Sequence, residues 1–232
     1  MLTFSTWIWG DKYPEAWVRK LAAGVRRHTE SSRFVVFTDR PRDNLPGDVS
    51  QMPIPDQALP LTGIKGCFAR LALFDTKTQA RIGLRPGDRI VNLDLDLVVT
   101  GNLEWLCSVE EPFAILKDIN STNPCPYNGS VWMLQAGYKP EVWHDFSLDN
   151  YAKYRVPFHA FPDDQGWFFH QMPDARGIGP AEGVYGFKKR GWPKLERGGS
   201  DDLPAGACIV AFPGWRDPEK FEHLPWVADN WK

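Results

Sequence analysis

The sequence has few of the features that mark secreted, disulfide-bonded or membrane-spanning proteins. Its 232 residues include four cysteines, and because none of them forms a C-x-x-C pair, neither a zinc site nor a disulfide framework is predicted. No apolar run approaches the roughly 18 residues that a membrane-spanning helix needs. Asp11 and Lys12 interrupt the first apolar stretch, so no signal peptide is predicted. These absences predict a soluble, cytoplasmic protein that makes at most peripheral contact with a membrane.

The sequence also lacks an excess of positive charge. Lys and Arg total 27 against 29 Asp and Glu, which gives a net charge of −2. Proteins that hold nucleic acids through a general electrostatic field carry a clear basic excess. We therefore expect no nucleic acid partner. A chain of this length fits one domain with a substantial core.

Tryptophan, in contrast, is abundant, with 11 residues in the chain. Most of these rings are expected to pack in the core. Trp7 and Trp9 stand near the end of the first predicted strand, and others crowd the C-terminal third: Trp192, Trp215, Trp226 and Trp231. Aromatic rings beside polar clusters are common where sugars or bases stack. Some of these residues are therefore candidates for ligand contact.

Short apolar runs alternate with helical patterns in the first half of the chain, which predicts a parallel α/β core. Strands are predicted at 2–9 and 34–37, and a helix that starts at Pro14 lies between them, so the chain opens as a β-α-β unit. Further strands are predicted at 49–54, 90–93, 112–116, 130–134, 184–187 and 208–212, and helical segments at 67–74, from Pro140 and from Asp163. The second half is richer in loops. The expected fold class is a single α/β domain with a mixed central sheet.

Two carboxylates, Asp94 and Asp96, follow the buried strand of residues 90–93. Side chains at positions i and i+2 of an extended segment point the same way, and ligands of open α/β sheets gather beyond the carboxyl ends of the strands. Oxygen ligands of this kind suit Mg²⁺ or Mn²⁺. The apolar flanks favour a ligand role, because unpaired carboxylates are costly to bury. The alternative is a solvated turn or a cap, since a short motif is only a hypothesis.

Seven short segments occur along the chain in an informative order: WGDKYPEAW (9–17), FTD (37–39), RLALF (70–74), LDLDLVVTGNL (93–103), YNGSV (127–131), DDQ (163–165) and IVAFPGWRDP (209–218). This order resembles that of bacterial glycosyltransferases with the GT-A fold, similar to glycosyltransferase family eight and its relatives. The segments span nearly the whole chain. The resemblance implies a single GT-A (Rossmann-like) domain with a mostly parallel sheet, in which residues 1–106 bind the nucleotide and residues 107–232 bind the acceptor.

The resemblance implies that the loops after the first two strands hold the nucleotide. Asp11, Tyr13 and Asp39 are expected to contact uracil and ribose, Tyr13 by stacking and the carboxylates by accepting hydrogen bonds. Arg70 is expected to bind the donor's phosphates, with Lys65 as a second cation. The alternatives are that Asp11 and Tyr13 only shape the turn and the helix start, and that Arg70 is an ordinary exposed helix residue.

The resemblance also implies roles around the reacting sugar. Asp94 and Asp96 would bind Mn²⁺ or Mg²⁺ bridged to the diphosphate, and Asn128, Asp164 and Gln165 would contact the donor sugar and the acceptor. Gln165 can donate and accept hydrogen bonds but is not a base, so it would stabilise an oxocarbenium-like centre. The alternative is that Asp164 caps the helix and Gln165 lies on the surface.

The chain departs from the family pattern in its last strand segment. Family members commonly carry a His there as a further metal ligand, whereas this chain has no His at Ala211 or Pro213. Water, His223 or Asp217 could be the third ligand. Alternatively, the protein has lost its activity. Arg216 stands near the family's usual Lys as a phosphate partner, although Arg and Lys are not equivalent.

The leading hypothesis is a metal-dependent transferase, of the kind that serves polysaccharide biosynthesis, which moves a hexose from a UDP-sugar to a glycan or lipid-linked acceptor. Retention of configuration is what the family implies. One alternative is a phosphatase of the haloacid dehalogenase type, whose Asp-x-Asp also follows a buried strand, but Val98 holds the place where Thr or Ser is usual. Another is a relative that binds nucleotide sugars without turnover, for which the missing His is the main support.

Overall fold

The computed structural model describes residues 2–119, 125–153, 163–193 and 200–232. Within these residues the strands are β1 (Leu2–Ile8), β2 (Ser32–Thr38), β3 (Val49–Pro53), β4 (Arg89–Leu93), β5 (Leu97–Val99), β6 (Phe113–Lys117), β7 (Tyr127–Gln135), β8 (Arg176–Ile178), β9 (Val184–Gly186) and β10 (Ile209–Ala211). The α-helices are α1 (Glu15–Arg27), α2 (Thr76–Arg81), α3 (Glu141–His144), α4 (Leu148–Lys153), α5 (Asp164–Gln171) and α6 (Pro225–Asn230). Short 3₁₀-helices span Leu59–Gly63, Phe68–Phe74, Glu104–Ser108, Pro180–Glu182 and Pro218–Phe221.

Seven strands form a mostly parallel sheet with the order β3-β2-β1-β4-β7-β6-β8. Strand β1 is parallel to β2 and β4, β2 is parallel to β3, and β6 is parallel to β8. Only β7 is antiparallel to its neighbours, β4 and β6. The predicted α/β class and the mixed, mostly parallel sheet are therefore confirmed.

The large sheet is buried on both faces, which explains why its strands read as continuous apolar runs. Alternate residues of β1 point to opposite sides: Phe4 packs in the cluster that includes helix α1, and Trp7 packs in the cluster that includes the 3₁₀-helix Phe68–Phe74. Helix α1 buries Trp17 and Leu21, which are four residues apart, against the first cluster. Each such side chain stabilises the fold by about 1.5–3 kcal/mol when fully buried.

A second, smaller sheet has the order β5-β10-β9. The chain leaves the large sheet after Leu93 and enters the small sheet at Leu97, so residues 94–96 form the turn that joins the two sheets. Strand β10 pairs antiparallel with β5. The N–H of Phe212, just after β10, donates to the backbone oxygen of Asp96 (3.0 Å). The segment that follows β10 is thereby held beside the turn.

Several local elements differ from the sequence predictions. The helical segment predicted at 67–74 is a 3₁₀-helix in which all seven residues from Phe68 to Phe74 are buried. Helices α2, α4 and α6 and strands β5 and β8 were not predicted, because elements of three to six residues often show no periodic pattern. In the described ranges, no helix has the length and apolar character needed to cross a membrane.

Candidate functional site

A cavity of about 550 Å³ lies beyond the carboxyl ends of β1 and β4. This is the edge of an open α/β sheet where ligands usually bind, and the volume suits a small-molecule ligand. Most of the residues singled out from the sequence line its walls: Tyr13, Lys65, Arg70, Asp94, Asp96, Asn128, Asp164 and Gln165. They come from distant parts of the chain, so the fold brings them together.

The turn between the two sheets places both acids of the Asp-x-Asp motif in the cavity wall. Asp94 and Asp96 both line the cavity, while Leu95 between them is buried in the core. The N–H of Asp94 donates to the backbone oxygen of Ser130 in β7 (2.9 Å). The predicted convergence of the two acids is present, but it arises from a turn rather than from an extended segment.

Arg70 is a buried cation at the centre of the site. Its Nε donates to Asp164 Oδ2 at 2.8 Å, its Nη2 lies 2.6 Å from the same oxygen, and its Nη1 donates to Asp94 Oδ1. The residue is only 5% exposed, so the alternative of an exposed helix residue is wrong. Arg70 joins the acidic turn to the start of α5, and the two carboxylates compensate the cost of burying its charge.

Strand β7 passes close to this ion pair because of an irregularity in its pairing. Leu116 of β6 faces Asn128, but the preceding residue Ile115 faces Trp132, so residues 129–131 bulge out of the ladder. A Cβ on Gly129 would lie 2.6 Å from Arg70 Nη2, a distance that no side chain tolerates. The bulge re-aims this part of β7 toward the cavity, a common use of bulges beside functional sites.

The start of helix α5 fixes the amide of Gln165. Asp163 is the N-cap: its Oδ1 accepts from the Gly166 N–H (3.0 Å), and its Oδ2 accepts from Gln165 Nε2 (2.7 Å). Gln165 Oε1 accepts from the Gly129 N–H (3.2 Å). The alternative that Asp164 caps the helix is therefore wrong. Asp164 is instead buried against Arg70, and the half-buried Gln165 is held on both sides.

Burial and like charge shift the acids of the site. Burial raises the pKa of Asp96 to about 7, and the neighbouring charge of Asp94 adds to the rise. Burial also raises the pKa of Asp164 to about 7, against the opposing effect of the Arg70 guanidinium. Burial raises the pKa of the Cys67 thiol to about 12, so this cavity residue is neutral at physiological pH. A cation bound near Asp96 would therefore stabilise its charged form, which burial and the charge of Asp94 disfavour.

The two acids fit a metal ion only if water or a bound molecule supplies its other ligands. The part of the chain that the structure describes contains no group of three or more His, Cys, Asp or Glu suited to hold a metal alone. Mg²⁺ commonly binds one or two carboxylates and takes its other ligands from substrate phosphates and water. Asp94 gives one oxygen to Arg70 and keeps the other, and Asp96 forms no ion pair with another described residue. Asp217 is engaged by Lys220 (2.6 Å).

The structure places Asp11 and Asp39 outside the cavity wall. The Asp11 side chain is 91% exposed and pairs with Arg40. Asp39 accepts from the Gly10 N–H (3.0 Å) and from Arg42 (2.7 Å). Although burial opposes it, these two contacts and the charges of both arginines lower the pKa of Asp39. Asp39 therefore ties the loop after β1 to the loop after β2.

Tyr13 lines the cavity, and its neighbours hold its ring. The ring centroid lies 4.8 Å from that of Trp17 and 4.4 Å from Lys12 Nζ. Burial, followed by the charges of Asp96 and Asp94, raises the pKa of Tyr13, so the phenol is neutral. Arg216, in contrast, does not line the cavity, and its guanidinium lies 5.0 Å from the ring centroid of Trp215.

Trp7 and Trp9, two of the aromatic candidates, line the cavity, whereas sequence reasoning missed several other cavity residues: Lys12, Gly66, Cys67, Gly129, Ser130 and Asp163. Lys12, Gly129 and Asp163 lie inside the segments WGDKYPEAW, YNGSV and DDQ that carry the resemblance, but the resemblance assigned them no role. Cys67 gave no signal. Its left-handed backbone (φ 57°) at the start of the 3₁₀-helix is visible only in the structure.

No family model matches the chain, and no curated protein does. Among solved structures, the galactosyltransferase LgtC in complex with donor and acceptor sugar analogues is similar, with a TM-score of 0.65, 13% identity, and coverage of 99% of this chain and 96% of LgtC. The glycosyltransferase GlyE of Streptococcus pneumoniae TIGR4 is similar over 94% of this chain, with a TM-score of 0.60 and 14% identity. This chain spans 56% of GlyE. At these identities the likeness shows a shared GT-A-type glycosyltransferase fold.

Proposed function

We propose that the chain is a glycosyltransferase that moves a hexosyl group from a UDP-sugar to a glycan or lipid-linked acceptor. The observation that carries the proposal is the buried Arg70, which is bonded to both Asp94 and Asp164 in one cavity at the carboxyl edge of the sheet. This arrangement occurs on a fold shared with glycosyltransferases, one of which was solved with donor and acceptor sugar analogues. The same likeness counts against the phosphatase alternative.

In this proposal the nucleotide lies along the loop after β1. The half-buried ring of Tyr13 offers a face to uracil, and such a stack contributes about 1–3 kcal/mol. Lys12 and Lys65 also line the cavity and would contact the diphosphate. Contacts of Asp11, Asp39, Arg70 and Arg216 with the donor stay predictions.

Asp94 and Asp96 would hold the Mn²⁺ or Mg²⁺ ion, whose charge would stabilise the leaving nucleoside diphosphate. Arg70 fixes one oxygen of Asp94, so the carboxylate is oriented before any ligand binds. Since Asp96 has a raised pKa, it has to lose its proton before it can act as a ligand.

The residues of the second half would act on the sugar. Gln165 is held by Gly129 and Asp163, and its amide would stabilise positive charge at the sugar carbon without taking a proton. Asp164, oriented by Arg70, would accept hydrogen bonds from the donor hydroxyls. Asn128 also lines the cavity, although its Oδ1 accepts from the Ser130 N–H (3.1 Å). Retention of configuration stays what the resemblance implies.

The test is calorimetric titration of UDP with and without Mn²⁺, followed by a screen of UDP-, GDP- and CMP-sugars for release of the nucleotide. We expect UDP affinity to rise with Mn²⁺ in the wild type and not in Asp96→Asn. Equal UDP binding with and without metal would contradict the metal site. UDP binding without release of UDP from any donor would favour the non-catalytic relative.

A variant of Gln165 separates chemistry from binding. Gln165→Ala should lower kcat while leaving KM for the donor nearly unchanged, because an interaction made mainly in the transition state affects the rate. The division into a nucleotide-binding half (1–106) and an acceptor-binding half (107–232), the cytoplasmic location and the peripheral membrane contact stay predictions.

A further inference from the structure

Trp215, an aromatic residue next to the cavity, is exposed to solvent. Trp215 is 68% exposed, and among the described residues the other exposed large apolar side chains are Leu59 (40%) and Leu148 (43%). Leu59 and Leu148 belong to a different 3₁₀-helix and to α4. Trp215 is therefore a single exposed indole and not part of a continuous apolar patch of its own loop.

The loop that carries Trp215 is held beside the cavity. Gly214 is exposed and lines the cavity, so it lies at the rim, and the Cα of Trp215 is about 3.8 Å further along the chain. Lys220 Nζ donates to the backbone oxygen of Trp215 (2.7 Å) and pairs with Asp217 (2.6 Å). The hydrogen bond from Phe212 to Asp96 fixes the other end of the loop.

The neighbours of Trp215 favour a carbohydrate over a membrane. The Arg216 guanidinium lies over the ring, 5.0 Å from its centroid, and the loop carries two cations, Arg216 and Lys220, against two anions, Asp217 and Glu219. A segment that binds anionic lipid combines several apolar residues with a basic excess, and this loop has neither. An aromatic face in a loop that carries hydrogen-bonding groups of both signs suits the apolar face and the hydroxyls of a sugar ring.

We propose that Trp215 is a platform on which a sugar ring of the acceptor stacks at the rim of the cavity. The inference rests on the proposed function and narrows it, because it assigns recognition of the acceptor to its carbohydrate part. Arg216 backs the indole, and the charged groups of the loop are placed to bond the hydroxyls of that ring.

The experiment follows the indole N–H signal of Trp215 in a ¹H–¹⁵N spectrum of the whole chain, where Trp215→Phe identifies the signal by its loss. The probes are lactose, maltose and the methyl glycosides of glucose and galactose at tens of millimolar, with UDP and Mn²⁺ present. Vesicles of phosphatidylcholine and phosphatidylglycerol serve as the membrane probe. Leu148→Ala is the control for loss of an exposed apolar side chain.

We expect at least one sugar to shift the Trp215 signal, and Trp215→Ala to weaken its binding by about tenfold, or about 1.4 kcal/mol, while Leu148→Ala leaves it unchanged. A Trp215 signal that responds to none of the sugars, or to the vesicles alone, would overturn the inference. Equal loss of sugar binding in both variants would overturn it as well. UDP binding is measured separately on the same samples. Absence of UDP binding would contradict the proposed function, independently of the response of the Trp215 signal.

Discussion

At the scale of single residues, the side chains around position 129 leave room only for glycine. Its backbone is not in the left-handed region, yet an added Cβ would lie 2.6 Å from Arg70 Nη2 and 3.2 Å from Asp164 Oδ1. The Arg70 side chain has no room to yield, because it is 5% exposed and bonded on both sides. The shape of the site therefore depends on one missing methyl group.

Gly129→Ala should displace the guanidinium of Arg70. We expect a loss of stability of about 1–3 kcal/mol, as for other overpacked sites, and loss of Mn²⁺-dependent UDP binding. Urea unfolding and calorimetry measure the two effects. The control is Gly63→Ala, since a Cβ there meets nothing within 4 Å. A Gly129→Ala protein that unfolds and binds like this control would refute the close approach.

Asp96 gives a pH-dependent prediction. Its folded-state pKa of about 7 lies above the ordinary value of 3.8, so the folded protein holds the proton more tightly than the unfolded chain. The stabilisation is complete below about pH 4 and is lost as the pH rises through about 7. Asn mimics the protonated acid, so Asp96→Asn should be more stable than the wild type at pH 8 without metal, by about 1–3 kcal/mol.

Thermal unfolding at pH 4.5 and pH 8 tests this sign. The difference in stability between the two proteins should shrink at the lower pH, where Asp96 is protonated in the folded wild type. Adding Mn²⁺ and UDP at pH 8 should reverse the order, because only the wild type can bind the ion. If Asp96→Asn is less stable than the wild type at pH 8 without metal, the pKa of Asp96 is not raised by its burial.

At the scale of elements, the long and regular segments were predictable from the sequence, whereas several of the short ones were not. Strands β1, β2 and β4 and helix α1 followed from apolar runs and a helical pattern. The bulge at residues 129–131 and the three-residue strand β5 leave no such pattern, although they set the positions of Gly129 and of the acidic turn. Arg70 was singled out by the resemblance, but its burial and its bond to Asp164, 94 residues away, are tertiary facts.

The Arg70–Asp164 pair ties the 3₁₀-helix Phe68–Phe74 to helix α5. Removing one partner of a buried pair costs about 3–5 kcal/mol, because an uncompensated charge stays behind, whereas replacing both by apolar groups costs less. Asp94 also pairs with Arg70 and still compensates its charge when Asp164 is replaced, so the cost is smaller. We expect Asp164→Asn to destabilise the protein by about 2–4 kcal/mol, and the double variant Arg70→Met with Asp164→Leu to lose less than the sum of its single changes.

Urea unfolding of Arg70→Met, Asp164→Leu and the double variant measures this coupling. Lys20→Met is a suitable control, because the Lys20–Glu222 pair has side chains 28% and 44% exposed and such pairs contribute about 0–1 kcal/mol. Strictly additive losses for Arg70 and Asp164 would show that the two side chains do not stabilise the fold as a pair.

At the scale of the whole molecule, the C-terminal helix is linked to the cavity wall at Tyr13 through two rings, Trp231 and Trp17. Trp231, just after α6, packs edge-on against Trp17 of α1 with centroids 5.5 Å apart, and Trp17 contacts Tyr13 at 4.8 Å. Arg27 reinforces the docking through its bond to the backbone oxygen of Asn230 (2.5 Å). The far end of the chain thereby supports the cavity wall that the first loop provides.

Trp231→Ala should therefore affect both stability and nucleotide binding. Trp231 is 2% exposed, and emptying such a site costs about 3–5 kcal/mol. Without Trp231 behind it, Trp17 relaxes toward the vacated space, Tyr13 loses its backing, and UDP affinity should fall several-fold in protein that is still folded. Phe113→Ala is the matched control, because Phe113 is similarly buried (3%) but packs on Phe74 and Trp132 in the other core cluster. Calorimetry with UDP and Mn²⁺, well below both melting temperatures, should show weakened binding in Trp231→Ala alone. Equal weakening in both variants would assign the effect to general destabilisation and break the proposed link from the C-terminal helix to the cavity.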